Sequence, residues 1–591
     1  MQTFTRVLVA NRGEIAVRIF RTLRELGIEA VAVYSDADRG ALHTRLADEA
    51  FRVGPGPADE SYLQGDVIIE TALRASVSAI HPGYGFLAEN AAFARAVEEA
   101  GITWIGPPAS AIELMGSKTG ARAAMRAAGV PIIPGVTDPV RTVEAVVELG
   151  EEIGYPLIIK AAAGGGGKGM EIVTEPAGAE RAFEAAQRQG LKYFGDDTVY
   201  VERYLEEPRH VEAQILADAH GTVLFLGERD CTIQRRHQKL IEESPSPAVD
   251  DGLRARIGEI AVSAARAAGY RSAGTVEGLL TRDGEYYFME MNTRIQVEHT
   301  VTELVTGLDL IREQILIAQG APLSLRQEDV ILRGHAIECR INAEDAGKGF
   351  LPAPGVITVY EEPSGPGVRV DSGVRAGDEI SGYYDPMIAK LIVHDTNRET
   401  ARKRMLRALA EFRIGGVPTL LGFHAALLTE PCFIEGGTCH GCVESQELAQ
   451  RAEEMTKSFT YQTTSVMRGS DGAVTRERIV AVEVDGRAFD VRVHTTEPPW
   501  ATLARRRRER SDGTAGAGSG AVVSPMQGTV LSVGVADGDL VDVGKVLCVI
   551  EAMKMENEIT AQHTGVVSSL AVAPGQSVTN GQLICVITGA V

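Results

Sequence analysis

Glu290-Met-Asn-Thr-Arg-Ile-Gln-Val-Glu-His299 is the stretch on which the reading of this chain turns. It continues a strand-like run, Tyr286-Tyr-Phe-Met289, and alternates polar with apolar side chains. Residues two apart on a strand share a face, so Glu290 and Asn292 point the same way. Glu277, in the strand-like Gly274-Thr-Val-Glu-Gly278, can meet them from a neighbouring strand. Oxygen ligands from two or three side chains, with phosphate oxygens completing the shell, suit Mg²⁺ or Mn²⁺. If the run stays extended, Arg294, Gln296 and Glu298 share the next part of one face. A cation, an amide and a carboxylate converging there make a small-anion site with a general base. A solvated surface strand of alternating polarity is the plainer alternative.

Upstream, Tyr155-Pro-Leu-Ile-Ile-Lys160 reads as a strand and runs into Ala161-Ala-Ala-Gly-Gly-Gly-Gly-Lys-Gly169. Backbone N–H groups of such a loop, Gly166 and Gly167 among them, can close over phosphates. It is not a P-loop, because Gly169 rather than Ser or Thr follows Lys168; a plain flexible linker is the alternative. Glu228 to Glu243 is dense in charge and places Gln234, His237 and Lys239 without the Glu–Lys spacing of a surface helix, so it reads as a phosphate-facing strand or loop. At the start, Arg6-Val-Leu-Val-Ala10 is a strand and Ile15 to Leu26 has helical apolar spacing. Gly27 caps that helix and Ala30-Val-Ala-Val-Tyr34 is a second strand. This βαβ unit lacks GxGxxG, which argues against a dinucleotide site.

The other end of the chain repeats itself. Gly528-Thr-Val-Leu-Ser-Val-Gly-Val-Ala-Asp-Gly538 realigns onto Gly565-Val-Val-Ser-Ser-Leu-Ala-Val-Ala-Pro-Gly575, and in the same register Val541 falls on Val578, Gly544 on Gly581 and Cys548 on Cys585. Two copies of a glycine-punctuated unit of short strands predict a small all-β domain with internal pseudo-symmetry. Between the copies lies Glu551-Ala-Met-Lys-Met555, which sets Lys554 at a hairpin tip. Hairpin tips favour Gly, Asn and Asp, so methionines on both sides of a lysine have no folding rationale there.

Acidic residues outnumber basic ones, 80 to 59, for a net charge of −21 in 591 residues. That balance argues against nucleic-acid or anionic-membrane binding, and no apolar run is long enough to span a bilayer. Seven cysteines, an odd and sparse set, suit a reducing cytoplasm. Cys432, Cys439 and Cys442 cluster, with a CxxC at 439–442. Without further ligands this favours a structural or incidental role.

Several of these stretches resemble biotin carboxylases: Asn11-Arg-Gly-Glu-Ile-Ala16, His81-Pro-Gly-Tyr-Gly-Phe-Leu-Ala-Glu-Asn90, the run from Glu290 to His299, and His335-Ala-Ile-Glu-Cys-Arg-Ile-Asn-Ala-Glu-Asp345. Phe350-Leu-Pro-Ala-Pro-Gly355 and Tyr383-Tyr-Asp-Pro-Met-Ile-Ala-Lys390 extend the likeness to about residue 445. The Lys554 motif resembles the biotin-attachment site of biotinyl carrier domains, whereas lipoyl domains usually carry Asp and Ala around the lysine. Together the chain resembles the α subunit of acyl-CoA carboxylases.

The resemblance implies a multidomain α/β and β protein. Residues 1–115 form a Rossmann-like α/β domain, 116–330 an ATP-grasp domain with a mobile lid at about 132–204, and 331–446 a C-terminal α+β domain. Residues 447–520 are a connecting segment, and 521–591 a flattened all-β biotinyl, lipoyl-like domain. It further implies biotin on Lys554, with ATP held by Lys118, Lys160, Gly166, Gly167, Glu202, Leu205, His210, Gln234 and His237. Two Mg²⁺ or Mn²⁺ ions fall to Glu277, Glu290 and Asn292, and bicarbonate to Arg294, Gln296, Val297 and Glu298. Arg294, Glu298, Arg340 and Lys239 are the expected catalytic set, with Glu298 as base and Arg340 stabilising the biotin enolate. Carboxybiotin would pass to a separate carboxyltransferase β subunit in a cytoplasmic hetero-oligomer. A biotin protein ligase would modify Lys554. The acyl substrate would be acetyl- or propionyl-CoA, feeding fatty-acid and malonyl-CoA synthesis or methylmalonyl-CoA synthesis.

Two features depart from the family. Gly116-Ser-Lys118 replaces the more usual Gly-Asp-Lys, and residues 446–520 are too few for the inserted domain of methylcrotonyl-type relatives. Within 446–520, Ile479 to Val493 reads as a hairpin around Asp485-Gly486, Arg505 to Arg508 as a basic linker, and Ser511 to Gly520 as a tether. Those last residues reach at most about 33–36 Å, with an r.m.s. span of about 16–19 Å. Two rival readings stand beside this one: an ATP-grasp ligase for another acid with a lipoyl-like carrier, and a carrier protein with an inactive ligase half.

Overall fold

The computed structural model describes residues 2–136, 139–161, 170–194, 196–236, 238–459, 466–468, 474–484, 487–496, 520–524, 528–552, 555–579 and 581–588. Of the candidate residues, Gly166, Gly167, His237 and Lys554 lie outside these.

The chain opens with β1 (Arg6–Val9), α1 (Gly13–Glu25), β2 (Glu29–Ser35), β3 (Glu49–Gly54), β4 (Ala79–His81) and β5 (Thr103–Trp104). The strands form one parallel sheet in the order β3-β2-β1-β4-β5. Val7, Leu8 and Val9 are all buried, as a strand covered on both faces requires. α1 turns Ile15, Ala16, Ile19, Phe20 and Leu23 inward, and Gly27 takes the left-handed conformation (φ +70°) that ends the helix.

A separate three-stranded antiparallel sheet follows: β6 (Leu157–Ala161), β7 (Met170–Val173) and β8 (Val199–Arg203), in the order β7-β6-β8. Its core of Val146, Leu149, Leu157, Ile159, Phe183 and Val201 is its own.

The central element is an eight-stranded antiparallel sheet. Its strands are β9 (Arg209–Ala217), β10 (Val223–Arg235), β11 (Gln238–Ser244), β12 (Ser272–Leu280), β13 (Tyr286–Asn292), β14 (His335–Asn342), β15 (Val368–Ser372) and β16 (Met387–Asp395). Their order is β13-β12-β9-β10-β11-β14-β16-β15. β11 pairs with β14 from Ile241↔Cys339 to Ser244↔Ala336, so hydrogen bonding runs without a break across the sequence boundary expected near residue 331.

One expectation needs correction. The run from Thr293 to Glu298 is not extended: it bends, and Glu298 becomes the residue preceding helix α2 (His299–Thr306), with φ −81° and ψ 9°. Glu89 holds the bend by accepting from the Thr293 backbone N–H at 3.1 Å. Arg294, Gln296 and Glu298 therefore do not share a strand face. In the cysteine cluster, given a structural or incidental role above, Cys432 bonds Cys439 and Cys442 is a free thiol.

Residues 446–459, set apart above as connecting segment, form a helix (Gln446–Phe459) that buries Leu448 and Ala452. It lies so close to helix Leu421–Leu428 that a methyl group on Gly422 would meet Ala452 O at 2.6 Å. Strands Val474–Val484 and Arg487–Thr496 pair with Val484 opposite Arg487, the hairpin read from the sequence.

The last part is two four-stranded antiparallel sheets. Strands Gly528–Val533 and Val546–Ala552 lie in one, and their repeat counterparts Gly565–Ser568 and Leu583–Thr588 in the other. The core repeats too: Val530 and Val567, Val541 and Val578, Cys548 and Cys585, Ile550 and Ile587 are all buried. Gly544 and Gly581 share a positive φ, +88° and +80°. Strand Val546–Ala552 pairs with Met555–Thr560 as far as Ala552 opposite Met555. Among the described residues no helix is long and apolar enough to cross a membrane.

Candidate functional site

The centre of the large sheet is a wall of charge. Lys239, on β11, donates to Glu212 at 2.5 Å, Glu277 at 3.0 Å and Glu298 at 2.5 Å. Arg340, on β14, donates from Nε to Glu242 at 2.5 Å and from Nη2 to Glu298 at 2.8 Å. Glu298 thus sits between a lysine and an arginine and is 2% exposed. Burial opposes its charge, yet Lys239, Arg340 and Arg229 outweigh that and hold the carboxyl well below the usual range. Lys239 shows the converse: burial works against its charge, and Glu212, Glu277 and Glu298 keep it protonated far into alkali.

The expected metal ligands come together. Glu277 and Glu290 are direct cross-strand partners on β12 and β13. Asn292 donates to Glu277 Oε1 at 2.7 Å. His210, on β9, lies 2.7 Å from Glu277 and bonds Gln234 at 2.9 Å. Arg294 bonds Asn292 Oδ1 at 2.9 Å and Glu89 at 3.0 Å. Gln296 donates to Glu277 at 2.5 Å, and the Val297 carbonyl accepts from Lys390 Nζ at 2.8 Å. The bend after β13 thereby brings its polar groups to the same wall that a straight strand would have reached with one face.

Lys160 and Glu202 form a second group on the small sheet. Lys160 donates to Glu202 Oε2 at 2.6 Å, and Arg122 engages Oε1. Glu202 is buried and Leu205 half-buried nearby in sequence. Lys118 starts a helix, Lys118–Ala127, exposed; Ser117 before it accepts from the Gly120 backbone N–H at 3.2 Å. The serine of the Gly-Ser-Lys departure is therefore a helix cap.

Sequence reasoning missed Arg229, Glu212 and Glu89. Arg229 is fully buried on β10 and donates to Glu212 (2.6 Å), Gln214 (2.6 Å), Thr302 (2.9 Å), Thr275 (3.1 Å) and Gln296 (2.7 Å). It fastens three strands and α2 behind the wall. The available signal was Glu228-Arg-Asp230, three charges in the middle of a strand whose flanks, Leu224-Phe-Leu226 and Cys231-Thr-Ile233, are buried.

This arrangement joins carboxylates for a hard cation, cations for an anion, and a paired carboxylate beside them. Comparison with known proteins places it. Residues 3–112 match the biotin carboxylase N-terminal domain, 117–326 the ATP binding domain of carbamoyl-phosphate synthase L chain, 338–445 the biotin carboxylase C-terminal domain, and 520–587 the biotin-requiring enzyme domain. The chain is 54% identical over 441 residues to a biotin carboxylase of Nostoc, covering 75% of this chain and 99% of that one. It is 46% identical over 568 residues, 94% of each chain, to a biotin-dependent acyl-coenzyme A carboxylase alpha3 subunit of Mycobacterium leprae. A solved biotin carboxylase domain of Hydrogenobacter thermophilus 2-oxoglutarate carboxylase, in complex with MgADP, ADP and bicarbonate, superposes with a TM-score of 0.69. The two are 45% identical, over 78% of this chain and all of that one. The chain belongs to the biotin-dependent carboxylases, as a biotin carboxylase fused to a biotinyl domain. It carries out biotin carboxylation as part of such an enzyme.

Proposed function

We propose that this chain is the α subunit of an acetyl- or propionyl-CoA carboxylase, carboxylating biotin on Lys554 and serving a separate carboxyltransferase β subunit. The likeness to the Mycobacterium leprae subunit along 94% of both chains supports the acyl-CoA assignment. The observation that carries the chemistry is Glu298 gripped by Lys239 and Arg340 beside Glu277, Glu290 and Asn292.

Glu298 removes the proton of bicarbonate, whose oxygen then bonds the γ-phosphorus of ATP as the β–γ bridging P–O bond breaks, giving carboxyphosphate and ADP. In the ion-paired state its basicity is low. An incoming anion that draws Arg340 toward itself raises it, so substrate arrival arms the base. Arg294, Gln296 and the Val297 main chain hold bicarbonate. Lys118, Lys160, Glu202, Leu205, His210, Gln234, His237 and the loop at Gly166-Gly167 hold ATP. Glu277, Glu290 and Asn292 offer oxygens suited to one or two Mg²⁺ or Mn²⁺ ions, which would neutralise phosphate charge. Biotin, when attached, would supply a ring nitrogen that takes the carboxyl group as the C–O bond of carboxyphosphate breaks; the released phosphate takes the ring N–H proton and Arg340 stabilises the charge it leaves.

Avidin capture of the chain from its cells, followed by assay of the captured material against an acyl-CoA panel, tests the reading. Capture with a carboxyltransferase active on acetyl- or propionyl-CoA is expected. An uncaptured chain, or activity confined to another acyl group, refutes it.

A further inference from the structure

Glu242 and Glu338 are completely buried, and nothing above gives them a task. They are direct partners across β11 and β14, a position where opposed side chains touch. Each carboxyl has one oxygen engaged: Glu242 Oε1 accepts from Arg340 at 2.5 Å, and Glu338 Oε2 accepts from the Thr300 hydroxyl. The second oxygen of each, Glu242 Oε2 and Glu338 Oε1, is buried with no partner. Two carboxylates only accept, so neither can satisfy the other. One proton removes the difficulty, because the carboxyl that holds it donates to the other.

The surrounding charges point the same way. Arg340, on β14, is divided between Glu242 and Glu298. Lys239, on β11, is taken by Glu212, Glu277 and Glu298. Lys390, on β16, bonds the Val297 carbonyl and Glu14. Glu298, preceding α2, adds a further negative charge. Burial first pushes both groups up, Glu298 adds to it at both and Glu338 adds to it at Glu242; Arg340 at both, Lys239 at Glu242, and Lys390 and the Thr300 hydroxyl at Glu338 only partly oppose this.

We propose that Glu242 and Glu338 share a single proton and act as a positioning pair, leaving Arg340 free to face Glu298 and the substrate. The role rests on the reading of Arg340 and Glu298 given above. Losing the proton at alkaline pH would set two negative charges against Arg340 and draw it away from the anion site.

The test is infrared spectroscopy of the full chain, with biotin-dependent ATP cleavage followed against pH using free biotin. The difference spectrum of wild type minus Glu338→Gln is expected to show a protonated-carboxyl C=O band at neutral pH. The amide of Glu338→Gln keeps a donor for Glu242, so this variant should stay within roughly threefold of wild type near pH 7 and lose the alkaline fall in rate. Glu338→Ala, which cannot donate, should lose about tenfold or more. Glu242→Gln supplies the same difference spectrum should Glu338→Gln fail to fold. Absence of the band from these spectra overturns the shared proton. An unchanged alkaline limb in Glu338→Gln overturns the positioning role. A band without any bicarbonate-dependent ATP cleavage sinks the functional reading and the positioning role with it, while the shared proton stands.

Discussion

The carrier part and the charged wall are both antiparallel β-structure, yet opposite forces hold them. The carrier core is apolar and written twice, with valines, isoleucines and cysteines in equivalent places of two sheets. The wall buries Arg229, Glu212, Glu277 and Glu298 and balances them charge against charge. Apolar packing tolerates substitution because its attraction has no direction. A buried ion network does not, because removing one member leaves the others desolvated and unpaired.

Lys554→Ala draws the line between the two most sharply. It should abolish acyl-CoA carboxylation and leave carboxylation of free biotin intact; loss of both would mean the regions do not act separately. Glu298→Gln should lower bicarbonate-dependent ATP cleavage by about 10²–10⁴-fold, the range of a lost general base. Near-normal turnover in that assay would remove Glu298 from the role. Arg229→Met and Ile550→Ala set the two kinds of core side by side. The first should cost about 3–5 kcal/mol in chemical denaturation and impair ATP cleavage. The second should cost about 2–5 kcal/mol in the carrier transition alone. If Arg229→Met proves neutral, the network is not what supports the wall. The smallest effects belong to Gly544→Ala and Gly581→Ala, about 1–2 kcal/mol each for forcing a side chain into the left-handed region. Similar losses at both would extend the repeat from conformation to energetics.

What could be read in the sequence follows the same division. The opening βαβ unit and the carrier repeat show in the chain because apolar residues and glycines recur at fixed spacing. That Glu277, Glu290 and Asn292 come together was legible because alternation on a strand is also a fixed spacing. The bend at 293–298 was not, since Arg-Ile-Gln-Val-Glu alternates as well as any strand and the contact that bends it comes from Glu89, some two hundred residues earlier. Arg229 was hidden for a related reason: its partners Thr275, Gln296 and Thr302 come from distant segments, and no local pattern marks them. The helix Gln446–Phe459 was overlooked because the family resemblance ended just before it.

At the carrier, the Ile587 backbone N–H donates to Gly520 O at 2.7 Å, and Ala521 pairs with Val586. Entry and exit of this unit therefore meet, stitched together by a ladder. A unit closed in this way is a cassette: it can be spliced into another chain, or opened at a different turn with its old ends joined, and keep its strand order. Its repeated halves make the turns at Gly538 and Gly575 equivalent places for the new opening.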